Sequence, residues 1–196
     1  MKIENLTIGF AMTGSFCTFS KVFPEIEKII SQNARVIPIM SEISYTTDTR
    51  FGKAEEHIKR LETITGEKVI GTINEAEPIG PKKMLDALII APCTGNSIAK
   101  IANGIADSSV TLAVKSHLRN KRPVIVAVST NDGLGNNCKN IGMLVNMKNI
   151  FVVPFKQDDF KEKENSLISD MTLIVPTAEL ALEGKQKQPL LISSYI

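Results

Sequence analysis

Three short stretches hold the small polar side chains that could meet a ligand, and each stands directly after an apolar run. Thr13-Gly14-Ser15-Phe16-Cys17-Thr18 follows the run Leu6 to Met12. Thr94-Gly95-Asn96-Ser97 follows a run from Leu85 to Ala91 that ends on Pro92-Cys93. Ser129-Thr130-Asn131-Asp132-Gly133 opens a third polar loop, reaching to Asn137, after Pro123 to Val128. Hydroxyls, amides and glycine beside the free N–H groups of a helix start are the ingredients of an anion cradle. Gly14 lets the backbone approach a ligand closely, with Thr13, Ser15 and Thr18 around it. Ser41, after the apolar run Arg35 to Met40, lies on the same edge as Ser15 and would add a hydroxyl. The plainer reading of each stretch is a capped turn that binds nothing. Neither the three spaced glycines of a dinucleotide fingerprint nor the Gly-Lys-Ser/Thr of a P-loop is present.

Fewer residues offer reaction chemistry. Asn96, Asn131 and Asp132 stand in the loops, and Asp132 is the one strong base among them. Arg50, in the polar stretch Ser44 to Gly52, has the fork geometry to grip an anionic substrate group; its alternative is a solvated ion pair with Asp48. Cys93 at a helix start would make a low-pKa thiol, but a small residue filling space beside a sheet is the favoured reading, and Cys17 and Cys138 are read the same way. His57 lies among charges on a helix and is expected exposed and inert; His117 is given no role. With two histidines and no Cys or His pair at ligand spacing, no metal site is expected.

The elements that must position these loops follow from periodicity. Apolar runs at Leu6–Met12, Arg35–Met40, Leu85–Ala91, Pro123–Val128 and 150–154 read as strands buried on both faces. Helical spacing is expected over Lys21–Gln32, Lys53–Ile64, 98–105, Val110–Arg119, Gly142–Met147 and Thr177–Glu183. Val69 to Lys83 reads as irregular and Phe155 to Ser166 as a charged loop. The alternation predicts one α/β domain over residues 1–196, a three-layer doubly wound, Rossmann-like parallel sheet. An apolar tail, about 188–196, would dock on its own subunit or a neighbour. A hydrophobic content of 43% and a net charge of +2 fit a globular protein with no bulk pull toward nucleic acid. No apolar run approaches the roughly 20 residues that span a bilayer, and no secretory leader pattern precedes the first strand. With three scattered cysteines, a reduced cytoplasmic setting is expected.

Two of these stretches, Thr13-Gly14-Ser15 and the one from Pro92 to Asp107, carry a family resemblance. Pro92 to Asp107 resembles the signature of the homo-oligomeric flavin-containing cysteine decarboxylases, the HFCD flavoproteins, in which a Pro-Ala-Ser-Ala-Asn-Thr loop precedes Ala-Lys-Ile-Ala-Asn-Gly-x-Ala-Asp. Ala99 to Asp107 matches the second half, whereas Cys93, Thr94 and Gly95 replace Ala-Ser-Ala while Pro92 and Asn96 stand. Thr49 to Gly52, Glu77 to Lys82 and Asn149 to Asp159 carry a narrower likeness to one branch of that family, running from about residue 6 to the C-terminus. The resemblance implies a flavin phosphate at Gly14, Ser15 and Ser41. It implies the ring of FMN near Pro92, Thr94, Asn96 and Ser97, at a contact in a homo-oligomer built from trimers, with Ser129 also facing the cofactor.

It further implies one subunit of an oxidoreductase. A separate partner with a dinucleotide-binding domain would supply NADP, and a small dicarboxylate would be oxidised in the mother cell of a sporulating bacterium. Decarboxylases of the family carry a catalytic His where this chain has Thr46 to Phe51, and a Pro-Ala-Met-Asn clamp where it has Val128 to Asn131. Both departures argue against cysteine decarboxylation and fit an acidic substrate held by Arg50 and Asn131. A stand-alone FMN-dependent decarboxylase or prenyltransferase-like enzyme is the second reading, and a non-catalytic flavin-binding or scaffolding role the third.

Overall fold

Strand β1 (Thr7–Met12) lies inside the sheet, one strand from its edge, and its side chains meet protein on both faces. It pairs in parallel with β2 (Arg35–Met40) on one side and β3 (Ala87–Cys93) on the other. β3 pairs in parallel with β4 (Val124–Thr130), and every side chain of β3 is buried. The structure, a computed structural model, describes residues 2–193.

Successive side chains of each strand face opposite layers. Phe10, Ile89 and Ile125 point into one core with α1 (Phe19–Ser31), which supplies Val22, Phe23 and Ile26. Ala11, Leu88, Ile90 and Val126 point into the other. The short α2 (Glu42–Thr46) follows β2, and α3 (Ala54–Thr65) packs beside α1. Val69 to Lys83, expected irregular, holds the single-turn α4 (Ile73–Ala76) and a 3-10 turn over Glu77–Ile79. Thr72 and Glu75 cap α4 reciprocally, which makes so short a helix form. The second core is covered by α5 (Gly95–Ala102), α6 (Ser109–Arg119) and α7 (Cys138–Asn146).

The outer edge of β4 is shared. Its first half pairs in parallel with β5 (Ile150–Val152), and its last two residues pair antiparallel with β7 (Leu167–Ser169). β7 in turn pairs antiparallel with β6 (Phe155–Gln157). The expected charged loop Phe155 to Ser166 is therefore corrected: it begins as strand β6 and leads into β7, and most of its charges occupy the connection. α8 (Ile174–Ala181) begins three residues before its expected start and covers the first core. The doubly wound α/β sheet stands, with an antiparallel hairpin added to its parallel strands. Of the tail, Leu190 and Ile192 hydrogen-bond Phe155 on β6 of the same chain; residues 194–196 lie outside the described residues.

Candidate functional site

The chain leaves β1 toward β2 and leaves β3 toward β4, so the crevice between the carboxyl ends of β1 and β3 is the switch point of the sheet. It is a cleft of about 1030 Å³ lined from β1, β3, β4 and the β6–β7 connection. Two local devices set its shape. Thr13 is buried; its hydroxyl donates to the Pro92 carbonyl at 2.7 Å and accepts from the Thr94 N–H at 2.9 Å. Its own N–H also donates to the Pro92 carbonyl at 3.2 Å. The exits of β1 and β3 are thereby stitched together just where the Ala91–Pro92 bond is cis and the β3–β4 register slips.

Past the stitch, a 3-10 turn at Phe16–Thr18 leads into α1. The Ser15 hydroxyl lies 2.8 Å from that of Ser129 and 3.1 Å from that of Thr18, and Thr18 lies 3.0 Å from Ser129. Hydroxyl hydrogens rotate, so three hydroxyls that satisfy one another can turn together toward an anion. The Phe16 and Cys17 N–H groups open the turn and bond no backbone carbonyl of the described residues. The Lys21 ammonium group stands one turn along α1, and Phe16 and Phe51 add flat apolar surface. Hydroxyls, amides and an ammonium group beside aromatic faces suit an anion carried on a flat ring.

The other end of the cleft holds a carboxylate. Asp132 accepts from the Thr130 hydroxyl at 2.5 Å and from the Asn137 amide at 2.8 Å and 3.0 Å. Asn137 is buried and accepts from Asn140 at 2.8 Å, so its orientation is fixed from behind. This cluster abuts Gly95, the first residue of α5. A Cβ there would come within 2.5 Å of Asn137, 2.6 Å of Thr130 and 2.7 Å of Asp132, so only glycine lets the helix start approach so closely.

Gly14, Ser15, Thr94, Asn96, Ser129, Asn131 and Asp132 thus line one cleft. Others named from sequence do not. Thr13 and Ser97 are buried, and the Ser97 N–H bonds the capping Thr94 hydroxyl at 3.4 Å. Pro92 forms part of the stitch, and Ser41 caps α2 by accepting from the Ser44 N–H at 3.4 Å. Arg50 is exposed and lies over the Phe51 ring at 4.9 Å, while Asp48 instead accepts from the Ala54 N–H at 2.9 Å. The Arg50–Asp48 ion pair does not form among the described residues. Cys93 fills space as expected: it is wholly buried, and burial pushes its thiol pKa far up, which removes the nucleophile reading. Cys17 and Cys138 are corrected, being exposed, because one opens the turn at the cleft mouth and the other starts α7.

His57 is corrected too: α3 turns it inward onto Phe19 and Phe23, where it is buried. Sequence reasoning missed Asp158, Lys163, Asn165 and Leu167, the wall delivered by the β6–β7 hairpin. Its signal was the apolar pair Leu167-Ile168, too short to separate from the charge run before it. Among the described residues no group of His, Cys, Asp or Glu could hold a metal ion, and no helix is long and apolar enough to cross a membrane.

Residues 1–178 match the family described as Flavoprotein, and the chain belongs to that family. The likeness then narrows. The chain is 47% identical over 193 residues to the B subunit of dipicolinate synthase from Bacillus subtilis (strain 168), covering 98% of this chain and 96% of that one. The crystal structure of the corresponding dipicolinate synthase B subunit from Bacillus halodurans C matches with a TM-score of 0.91 and 44% identity over the whole of both chains. More distantly, DmrB of Burkholderia xenovorans in complex with FMN, described as a cubic protein cage for redox transfer, shares the fold. Its TM-score is 0.62 at 20% identity, over 76% of this chain and 88% of that one.

Proposed function

We propose that this chain acts as the B subunit of a dipicolinate synthase. With a dinucleotide-binding A subunit it oxidises dihydrodipicolinate to dipicolinate, and NADP reaches the site through that partner. The observation that carries the reading is the end-to-end likeness to the B subunits of dipicolinate synthases in sequence and in fold.

The residues in the cleft fit this chemistry. The hydroxyls of Ser15, Thr18 and Ser129, with Lys21 and the open amides of the turn, would hold the phosphate of FMN. Phe16, Thr94, Gly95 and Asn96 would border its ring. Bound there, FMN would supply a flat redox centre able to take a hydride equivalent. The FMN complex of DmrB, on the same fold, supports this choice of cofactor. The two carboxylates of the substrate call for donors, which Asn96, Asn131 and, from the rim, Arg50 supply. Aromatisation removes a hydride and a proton, so the chain must orient the ring and receive the proton. Asp132, whose carboxylate is held by Thr130 and Asn137, would receive it. Assembly into trimers would follow the family, and a sporulating mother cell would be the setting for this product.

The test is an NADP-reduction assay with dihydrodipicolinate. The A subunit with this chain is expected to turn over, and either protein alone is not. A yellow protein active without the A subunit would favour a stand-alone flavin enzyme. Full activity of the A subunit alone would make this chain a scaffold.

A further inference from the structure

Just outside the cleft, Thr49 and Gly52 close a two-residue turn. The Thr49 N–H donates to the Gly52 carbonyl at 3.0 Å, and the Gly52 N–H to the Thr49 carbonyl at 3.2 Å. The Phe51 N–H donates to the Thr49 hydroxyl at 3.1 Å. The turn's tip is therefore Arg50 and Phe51, with Phe51 on the cleft wall and the guanidinium over its ring. What holds this tip is the His57 ring underneath it. Gly52 has a φ of +132°, and a Cβ there would come 2.9 Å from both Cε1 and Nε2 of His57. No other residue type combines that backbone with that approach.

The His57 ring is otherwise boxed mostly by carbon, with a Glu56 carboxylate oxygen on the Gly52 side, 3.5 Å from where a Gly52 Cβ would stand. Phe19 meets it edge-on at 5.0 Å, and Phe23 stacks offset at 6.4 Å. Its Nε2 is buried and has no hydrogen-bond partner. A neutral imidazole tolerates this, because Nε2 can be the ring's lone-pair nitrogen. An imidazolium does not, because it would aim an N–H at the Gly52 backbone with no acceptor and place a charge among phenylalanines.

We propose that His57 is the positioning residue of the Thr49–Gly52 turn, holding Phe51 against the cleft while the ring is neutral and releasing it when the ring takes up a proton. Burial holds the His57 pKa below its ordinary value, as such a box requires. Its own helix carries Glu55, Glu56, Lys59, Arg60 and Glu62, of which Glu56 favours the proton and Arg60 opposes it. Glu56 accepts from the Lys53 N–H at 3.1 Å, and Arg60 lies over Phe23 at 4.0 Å. From α1 the ring meets the Phe19 and Phe23 rings, with Lys21, Glu25, Glu27 and Lys28 elsewhere on that helix. The turn adds Arg50, and α2 adds Glu42. Of these, Glu56 and Arg60 act most strongly on the ring's charge.

The chain has no tryptophan, so Phe51→Trp gives a single emitter at the turn. Its emission is followed from about pH 8 to about pH 4.5, with circular dichroism reporting the fold, in the His57 background and with His57→Phe or His57→Gln. A red shift in one step below about pH 6.5 is expected with His57, and none with either replacement. An identical step in all three proteins, or a flat response with His57, overturns the proposal. A second readout rests on the flavin reading of the cleft: FMN affinity of the otherwise native chain. It should fall about tenfold more on acidification with His57 than with His57→Phe. If the tryptophan step occurs without that difference, the positioning role stands and the cleft reading is what fails.

Discussion

Single side chains divide into those that build the cleft and those that face it. Thr13 belongs to the first kind. Thr13→Val removes a donor and an acceptor at once: the Thr94 N–H loses its partner, and the Pro92 carbonyl keeps only the Thr13 N–H. A stability loss of about 1–3 kcal/mol is expected from denaturant titration. Ser129 belongs to the second kind. Ser129→Ala removes one of three clustered hydroxyls and should weaken FMN roughly tenfold, as for one hydrogen bond to a charged group, with the melting temperature little changed.

His117 gives the fold an acid limit. Burial lowers its pKa to about 4, against the donor preference of the Pro123 carbonyl at 3.1 Å, with Arg122 adding to the lowering. The unfolded chain binds this proton near pH 6.5, so stability is complete above that value and drains as the pH falls toward 4. The loss reaches on the order of 3 kcal/mol. His117→Gln keeps a donor for Pro123 and should flatten melting temperature against pH across that window. These assignments were unequally legible. The hydroxyl and amide types could be read from sequence, but whether a hydroxyl faces a ligand or a neighbouring strand depends on side-chain direction. That is why Thr13, Ser41 and Ser97 share the residue type of Ser15 and Ser129 without sharing the cleft.

At the level of elements, the core strands were readable because each is an unbroken apolar run, as burial on both faces demands. The β6–β7 hairpin was not, since its strands have three residues each and its connection, from Asp158 to Ser166, is dominated by charge. Yet that hairpin pairs with the end of β4 and closes the cleft. Replacing residues 159–164 with a short Gly-Asn turn removes wall and leaves both cores untouched. The melting temperature should change little, while FMN titration should show about a five- to tenfold loss. An equal fall in both would make the hairpin a part of the core instead.

Across the whole molecule, parallel strands point their carboxyl ends to one side, so loops far apart in sequence must meet there. Gly14, Asn96 and Asn131 come together for that reason, from three separate βα turns. The sequence could indicate that meeting because it follows from topology alone. It could not indicate that Asp132 would be locked by Asn137 and Asn140, or that His57 would turn inward, because those contacts depend on how α5, α7 and α3 are rotated about their axes. The meeting of the loops makes one cleft with a hydroxyl-rich end and a carboxylate end.

The most direct measurement is a fluorescence titration of this chain with FMN and with riboflavin, the same ring without the phosphate. FMN should bind at least about tenfold more tightly, and Ser129→Ala should close much of that gap. Equal affinity for the two flavins, or binding of neither, would contradict a flavin phosphate seated among Ser15, Thr18 and Ser129.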